Sequence, residues 1–194
     1  MSSYVSLAEF NEYVSDEFGS TESPLRQSAL DAAERAVNEF CQRSFAVVAA
    51  DATPTARLFV PSGTSILRIH DARAVTAVAV SGDTLAASTY QLEPVTVSWS
   101  GLAQPYEQIR LLNWYFPVIV PGEATVSVTA RWGWAAVPGE VVEATKILAK
   151  DILQQRRTMG NLVAAGDFGG VVRINTYVRQ LLNPVRRVEA FGFA

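Results

Sequence analysis

The sequence has one cysteine and one histidine in 194 residues. A lone Cys41 permits no internal disulfide. Together with His70 it leaves no zinc site of the usual protein-supplied kind, which takes three or four such ligands. A cysteine nucleophile wants a histidine base, and His70 is the only one available. Asp71 follows His70 directly, but neighbours on a strand point to opposite faces, so the two make a poor imidazole–carboxylate pair. Gly-rich phosphate loop, dinucleotide fingerprint and nucleophile elbow are all missing. Asp167-Phe168-Gly169 repeats the metal-binding tripeptide of protein kinases without that family's other motifs, and carries no weight alone. Glu140 and Glu143 are better explained as a solvated first helical turn than as paired catalytic carboxylates. The expectation is a chain without catalysis, cofactor or metal.

Long apolar runs are also missing. None approaches the roughly 20 residues that span a bilayer. The opening MSSYVSLAEF has no basic region followed by an apolar stretch, so no secretory signal is read there, and a protein made and used without export is expected.

What is present is globular. Hydrophobic residues make up 49% and charged residues 18%, too apolar for a disordered chain. Net charge is −3, unevenly spread: residues 1–145 hold 8 basic and 16 acidic side chains, residues 146–194 hold 8 and 3. The split suits subunits that meet acidic face to basic face, or one end that meets an acidic partner. A nucleic-acid binder would show a basic domain overall.

The stretch Ser23 to Phe45 reads as one long helix. Ser23 suits the N-cap and Pro24 the first helical position. Leu25, Ala29, Ala32, Ala33, Ala36, Val37 and Phe40 recur at three- and four-residue spacing, with Arg26, Asp31, Glu34, Arg35, Asn38 and Glu39 on the other side. Before it, Ser6 and Glu9 make a capping box for a short helix to Val14. A second long helix is expected over Pro138 to Thr158, with Val141, Ala144, Thr145, Leu148, Ile152 and Gln155 on one side. Glu140 and Glu143 stand at its start and Arg156 and Arg157 at its end, the order that complements the helix dipole.

Between these helices the chain alternates, with turn residues at short intervals, as antiparallel strands do. Ala49 to Thr55 reads as a linker. Strands are expected at 56–60, 65–69, 75–81, 90–93, 95–99, 108–112 and 124–132, with Ser81-Gly82-Asp83 as a hairpin turn. Asn113 to Pro121 reads as an aromatic loop. Trp99, Trp114, Trp132 and Trp134, with Tyr106, Tyr115 and Phe116, could form a platform for sugar or single-stranded nucleic acid. Core packing and subunit contacts explain them at least as well.

The fold class is therefore α+β: a small helical core of two main helices and a short N-terminal helix, interrupted by an antiparallel β-rich insertion. Residues 1–45 and 135–160 form the two parts of the core and 46–134 the insertion. Residues 161–194 form an extended C-terminal arm. Val171–Ile174 is a strand candidate and Tyr177 to Leu182 one or two helical turns. This arm has too few apolar residues for a core of its own and is expected to order against a partner or neighbouring subunit.

Several patches, in order, resemble the head–tail connector (adaptor, head completion) proteins of tailed bacteriophages. ALDAAERAVNEFCQRSF is similar to their long helix. Trp132-Gly133-Trp134, Val137-Pro138 and a helix ending in Arg156-Arg157 match their later part. Val78-Ala-Val80-Ser-Gly82, Leu85 and Tyr90-Gln-Leu92-Glu-Pro94 resemble the β insertion of some adaptors. The resemblance implies a structural virion protein at the head–tail interface, made in the host cytoplasm. It implies an oligomeric ring, usually a dodecamer, below the portal. Such a ring extends the DNA channel, passes double-stranded DNA without sequence-specific contact and docks the next tail-side connector or stopper protein. It further implies that the arm binds the portal, through Val171, Val172, Arg173, Ile174, Tyr177, Arg179, Arg186 and Arg187. The competing reading is a β-type carbohydrate or surface binding module of a phage or bacterium.

Overall fold

The computed structural model describes residues 4–14, 23–95, 104–118, 122–160 and 174–187. It is mixed α+β and divides into two compact units, Met1–Phe45 with Val137–Ala194, and Ala46–Ala136.

The first unit is helical: α1 (Leu7–Tyr13), α2 (Ser23–Cys41), α3 (Gly139–Gly160) and α4 (Thr176–Leu182), the last continued by a 3-10 turn, Asn183–Val185. Helix α1 carries the expected capping box. The Ser6 hydroxyl accepts from the Glu9 N–H, and the Glu9 carboxylate accepts from the Ser6 N–H at 2.9 Å. These bonds to the charged form hold the Glu9 carboxyl below its usual pKa.

Helix α2 is shorter than the pattern suggests and is rotated from it. It ends at Cys41, where Gln42 turns left-handed with φ 54°. The Gln42 N–H then reaches the Glu39 carbonyl and the Arg43 N–H the Asn38 carbonyl, a Schellman closure that satisfies carbonyls the helix leaves over. The buried line runs Arg26, Leu30, Ala33, Val37 and Cys41, with Ala29 beside it, while Leu25 is half exposed. Leu25 belongs to the first turn, where a helix overhangs its neighbours, and the Arg26 guanidinium goes inward to the Asn11 side chain at 2.6 Å.

Helix α3 presses Val141, Ala144, Leu148, Ala149, Ile152 and Leu153 inward. Thr145 is buried with them because its hydroxyl donates to the Val141 carbonyl at 2.7 Å. Gln155, expected on this face, is exposed. Tyr4 ties the unit's start to α2. Its hydroxyl donates to Asn38 Oδ1 (2.7 Å) and accepts from the Phe45 N–H (2.9 Å), and its N–H donates to Glu34 Oε1 (2.7 Å).

The second unit is a six-stranded antiparallel sheet: β1 (Thr55–Phe59), β2 (Ile66–Val80), β3 (Asp83–Thr84), β4 (Tyr90–Glu93), β5 (Tyr106–Leu111) and β6 (Val126–Trp132). The order is β1-β6-β2-β5-β4, with β3 on the end of β2. The strands expected at 65–69 and 75–81 are one strand. A straight β2 would place Ile66 about 46 Å from Val80. Phe59 and Val80 both lie opposite Val126, and seven residue steps from Phe59 to Ile66 span at most about 24 Å. So β2 must bend, and it does so at register shifts around Arg68–Ala72, Ala72–Ala74 and Val75–Ala77. Its first half pairs with β5 and its second with β6, with Ala72 opposite both Tyr106 and Trp132. Bulges of this kind look like broken periodicity in a sequence.

Ser81 and Gly82 both have positive φ (52° and 95°) between the paired Val80 and Asp83, the two-residue turn that suits a twisted hairpin. Val126, Val128 and Ala130 alternate inward from β6 as expected and meet Leu67, Ile69, Val78, Ile109, Leu111 and Phe116. Of the expected 95–99 strand, Val95 is irregular and the rest lies outside the described residues.

Candidate interaction surfaces

Two surfaces merit description, one on each unit. On the helical unit, residues 174–187 do not form a free arm. Asn175 caps α4, accepting from the Val178 N–H at 2.8 Å. Val178, Leu182 and Val185 are buried. The segment then clasps the end of α2. Arg43 Nη1 donates to the Val185 carbonyl (3.0 Å), the Arg187 N–H donates to the Cys41 carbonyl (3.0 Å), and the Arg186 guanidinium lies 5.1 Å from the Phe40 ring centre. The expectation that this tail needs a partner to order is corrected for these residues. Three apolar side chains at spacings of four and three make no core alone, but they complete one that α2 and α3 have begun.

Of the eight arm residues singled out from the sequence, Val171, Val172 and Arg173 lie outside the described residues, as do the remainder of 161–173 and 188–194. Ile174 is half-buried and irregular. Tyr177 and Arg179 are exposed on either side of buried Val178. Arg186 and Arg187 are engaged with α2, as above.

On the β unit, the aromatic residues separate. Trp134 is buried, and its indole N–H donates to the Asp71 carboxylate at 3.0 Å. Trp132 donates to the Thr55 carbonyl (2.9 Å), and the Arg57 guanidinium lies 4.6 Å from its ring centre. His70, exposed, packs near Phe59 and Trp132. Phe116 is buried, whereas Trp114 and Tyr115 are 68% and 67% exposed; Trp99 lies outside the described residues. Among the described residues, these rings form no common platform.

Ala49 to Thr55, expected as a linker, and the three residues before it are tied to the sheet. Arg73 Nη1 donates to the Val48 carbonyl and Arg131 Nε to the Ala52 carbonyl, while the Val48 N–H donates to the Trp134 carbonyl and the Trp134 N–H to the Ala46 carbonyl. Nothing in the sequence pattern signals this, because arginine contacts to distant carbonyls leave no periodicity.

Among the described residues, chemistry-bearing groups do not converge. Burial pushes the Cys41 thiol up to about 11, away from nucleophilic use. Among the described residues, no group of three His, Cys, Asp or Glu side chains could hold a metal ion. Also among them, no helix is long and apolar enough to cross a membrane. A hollow of about 410 Å³ beside β4 and β5 is lined by Glu93, Pro94, Val95, Gln104, Glu107 and Gln108. Its Glu93 is already held by Gln108 (2.8 Å) and Arg110.

No protein-family model matches the chain, and no curated protein matches it either. Solved structures do. One comes from the virion of a native gene transfer agent (GTA) particle, with 22% identity, 97% of this chain and 92% of that chain covered, and a TM-score of 0.51. Another comes from the neck of a native GTA particle computed with C12 symmetry, with 18% identity, 96% and 90% covered, and a TM-score of 0.51. This chain shares its fold with a virion neck component. The likeness runs over nearly the whole of both chains, so it takes in the helices and the sheet together. It agrees with the connector resemblance carried by the sequence.

Proposed function

We propose that this protein is a structural subunit of a phage-like virion, a head–tail connector whose copies form a ring below the portal. The observation that carries the reading is the shared fold across almost all of both chains, with a neck whose symmetry is twelvefold. A ring of twelve follows by analogy with that neck. The protein works by assembly: the ring lengthens the DNA channel, and its far side receives the next tail-side protein. Such a task needs interfaces and no reacting groups. That suits a chain whose Cys41 is buried and whose His70 packs beside aromatic rings.

A closed ring needs two different lateral faces on each subunit. The excess of acid before residue 146 and of base after it supplies opposite charges for them. We assign portal contact to the C-terminal segment, with Tyr177 and Arg179 as its exposed described residues and Val171, Val172, Arg173 and Ile174 beside them in sequence. Arg186 and Arg187 contribute indirectly, by holding that segment on α2.

Removing the gene from a producing strain tests the role in the particle. Packaged heads and finished tails that fail to join are the expected result. Normal yields of joined, infectious or transducing particles would overturn the reading.

A further inference from the structure

Helix α2 has opposite charges gathered at its two ends. At its C-terminal end the Arg186 guanidinium is exposed and lies 5.1 Å from the Phe40 ring centre. Arg43 and Arg187 are held at the same end, the first through the Val185 carbonyl and the second through the Cys41 carbonyl. Burial raises the Cys41 pKa, and Arg43 and Arg186 are both near enough to pull against it. Glu39, in the last turn of α2, offsets only one of these charges. Among the described residues, no carboxylate pairs with Arg186. An arginine laid on an aromatic ring presents its fork of N–H donors with little freedom left to lose, which suits a carboxylate.

The other end is acidic. Tyr4 is bonded near the end of α2, at Asn38 and Phe45, and Asn11 near its start, at Arg26, so α1 runs back along α2. That brings Glu12, exposed, to the start of α2, where the one base of the pair, Arg26, is turned inward. From Glu9 to Glu22 the sequence has five acidic residues and no lysine or arginine; from Phe168 to Val188 it has four arginines and no acid. A helix rises about 22 Å over the fifteen steps from Arg26 to Cys41. That exceeds the screening length of about 8 Å at physiological salt, so the two ends of one copy do not satisfy each other.

We infer that the Arg186 end of α2 on one copy binds the acidic surface around Glu12 on a second copy. The arginine cluster calls for carboxylates, and this chain carries them on a surface its own arginines cannot reach. Two unlike surfaces on one subunit make a head-to-tail contact, the kind that repeats around a ring. The inference rests on the ring reading above and adds the residues that join neighbouring copies.

Charge reversal in the full chain tests it, with ring uptake by the portal read as native mass. Arg186→Glu and Glu12→Arg chains are made separately, and the unsubstituted chain is the control. Each variant alone is expected to lose ring uptake. An equimolar mixture is expected to regain it, because alternating the two variants around an even ring sets opposite charges at every contact. Thermal midpoints check that both chains fold. If one does not, Arg186→Gln or Glu12→Gln replaces it and should raise the subunit concentration that the ring needs; an unchanged requirement would overturn the contact. A full ring from either charge-reversed chain alone would also overturn it. So would retention of duplex DNA by the unsubstituted chain that Arg186→Glu abolishes while its rings stay intact, which would assign Arg186 to phosphate. If the unsubstituted chain forms a ring on the portal and the mixture does not, this contact falls and the ring stands. If the unsubstituted chain forms no ring, the ring reading falls.

Discussion

The indole N–H of Trp134 donates to the carboxylate of Asp71 at 3.0 Å, with both side chains buried. The Asp71 carbonyl also accepts the Gly133 N–H at 2.7 Å, so one residue of β2 fixes the turn that leaves β6. Asp71→Ala would leave a buried indole donor unmatched, and an expected loss of roughly 1–3 kcal/mol should appear in chemical unfolding. Asp71→Asn keeps an acceptor and should lose less. Equal losses for both would mean that the indole bond contributes little.

Gly133 has φ +131°, and a Cβ there would stand 2.5 Å from the Ala46 carbonyl oxygen. The backbone bond from Trp134 N–H to the same oxygen, at 2.9 Å, prevents easy retreat. Gly133→Ala should therefore cost roughly 2–4 kcal/mol through strain and displaced backbone. A thermal midpoint matching that of the unsubstituted chain would contradict this.

The Trp-Gly-Trp step shows how far the sequence reaches. Its place after the last strand is legible, because Val126-Ser-Val-Thr-Ala alternates so cleanly. Its work is not, because the partners, Ala46 and Asp71, are more than sixty residues away. The same division runs through the helices. The capping box at Ser6 and Glu9 is local chemistry and reads correctly. The rotation of α2 that buries Arg26 and exposes Leu25 depends on Asn11 and on which faces α1 and α3 present, and apolar spacing alone cannot supply that. The docking of α4 was hidden for a related reason. Val178, Leu182 and Val185 are too few to suggest a core unless the one they complete is known. The interaction surface on the β unit was only half legible: the aromatic run 114–116 stands out, but which of its rings is buried depends on the contact of Phe116 with the Thr64 turn.

Burial holds the Cys41 thiol neutral, with its pKa raised from 9.0 to about 11. The fold favours the protonated form, so this stabilisation is complete below pH 9 and fades as pH rises from about 9 to about 11. Its size is roughly 2–3 kcal/mol. Stability should fall across that window in the native chain and fall less in Cys41→Ala. Iodoacetamide at pH 8 should modify Cys41 slowly in the folded protein and rapidly in urea. Fast modification without denaturant would show that the thiol is accessible.

Truncation after Gly160 would not be a clean test of the C-terminal segment. It removes Val178, Leu182 and Val185 from the helical core and should destabilise the unit. Leu182→Ala alone should cost about 2–5 kcal/mol. The exposed pair separates the two roles: Tyr177→Ala with Arg179→Glu should leave the unfolding free energy within about 0.5 kcal/mol and weaken portal uptake. Unchanged uptake would remove these residues from the portal contact.

The most direct measurement is the native mass of the chain mixed with the portal ring of the same particle. The account predicts that each portal ring gains one full ring of subunits in a single discrete mass step, twelve by analogy with the C12 neck. Portal rings that keep their own mass across a wide range of subunit concentration would contradict it.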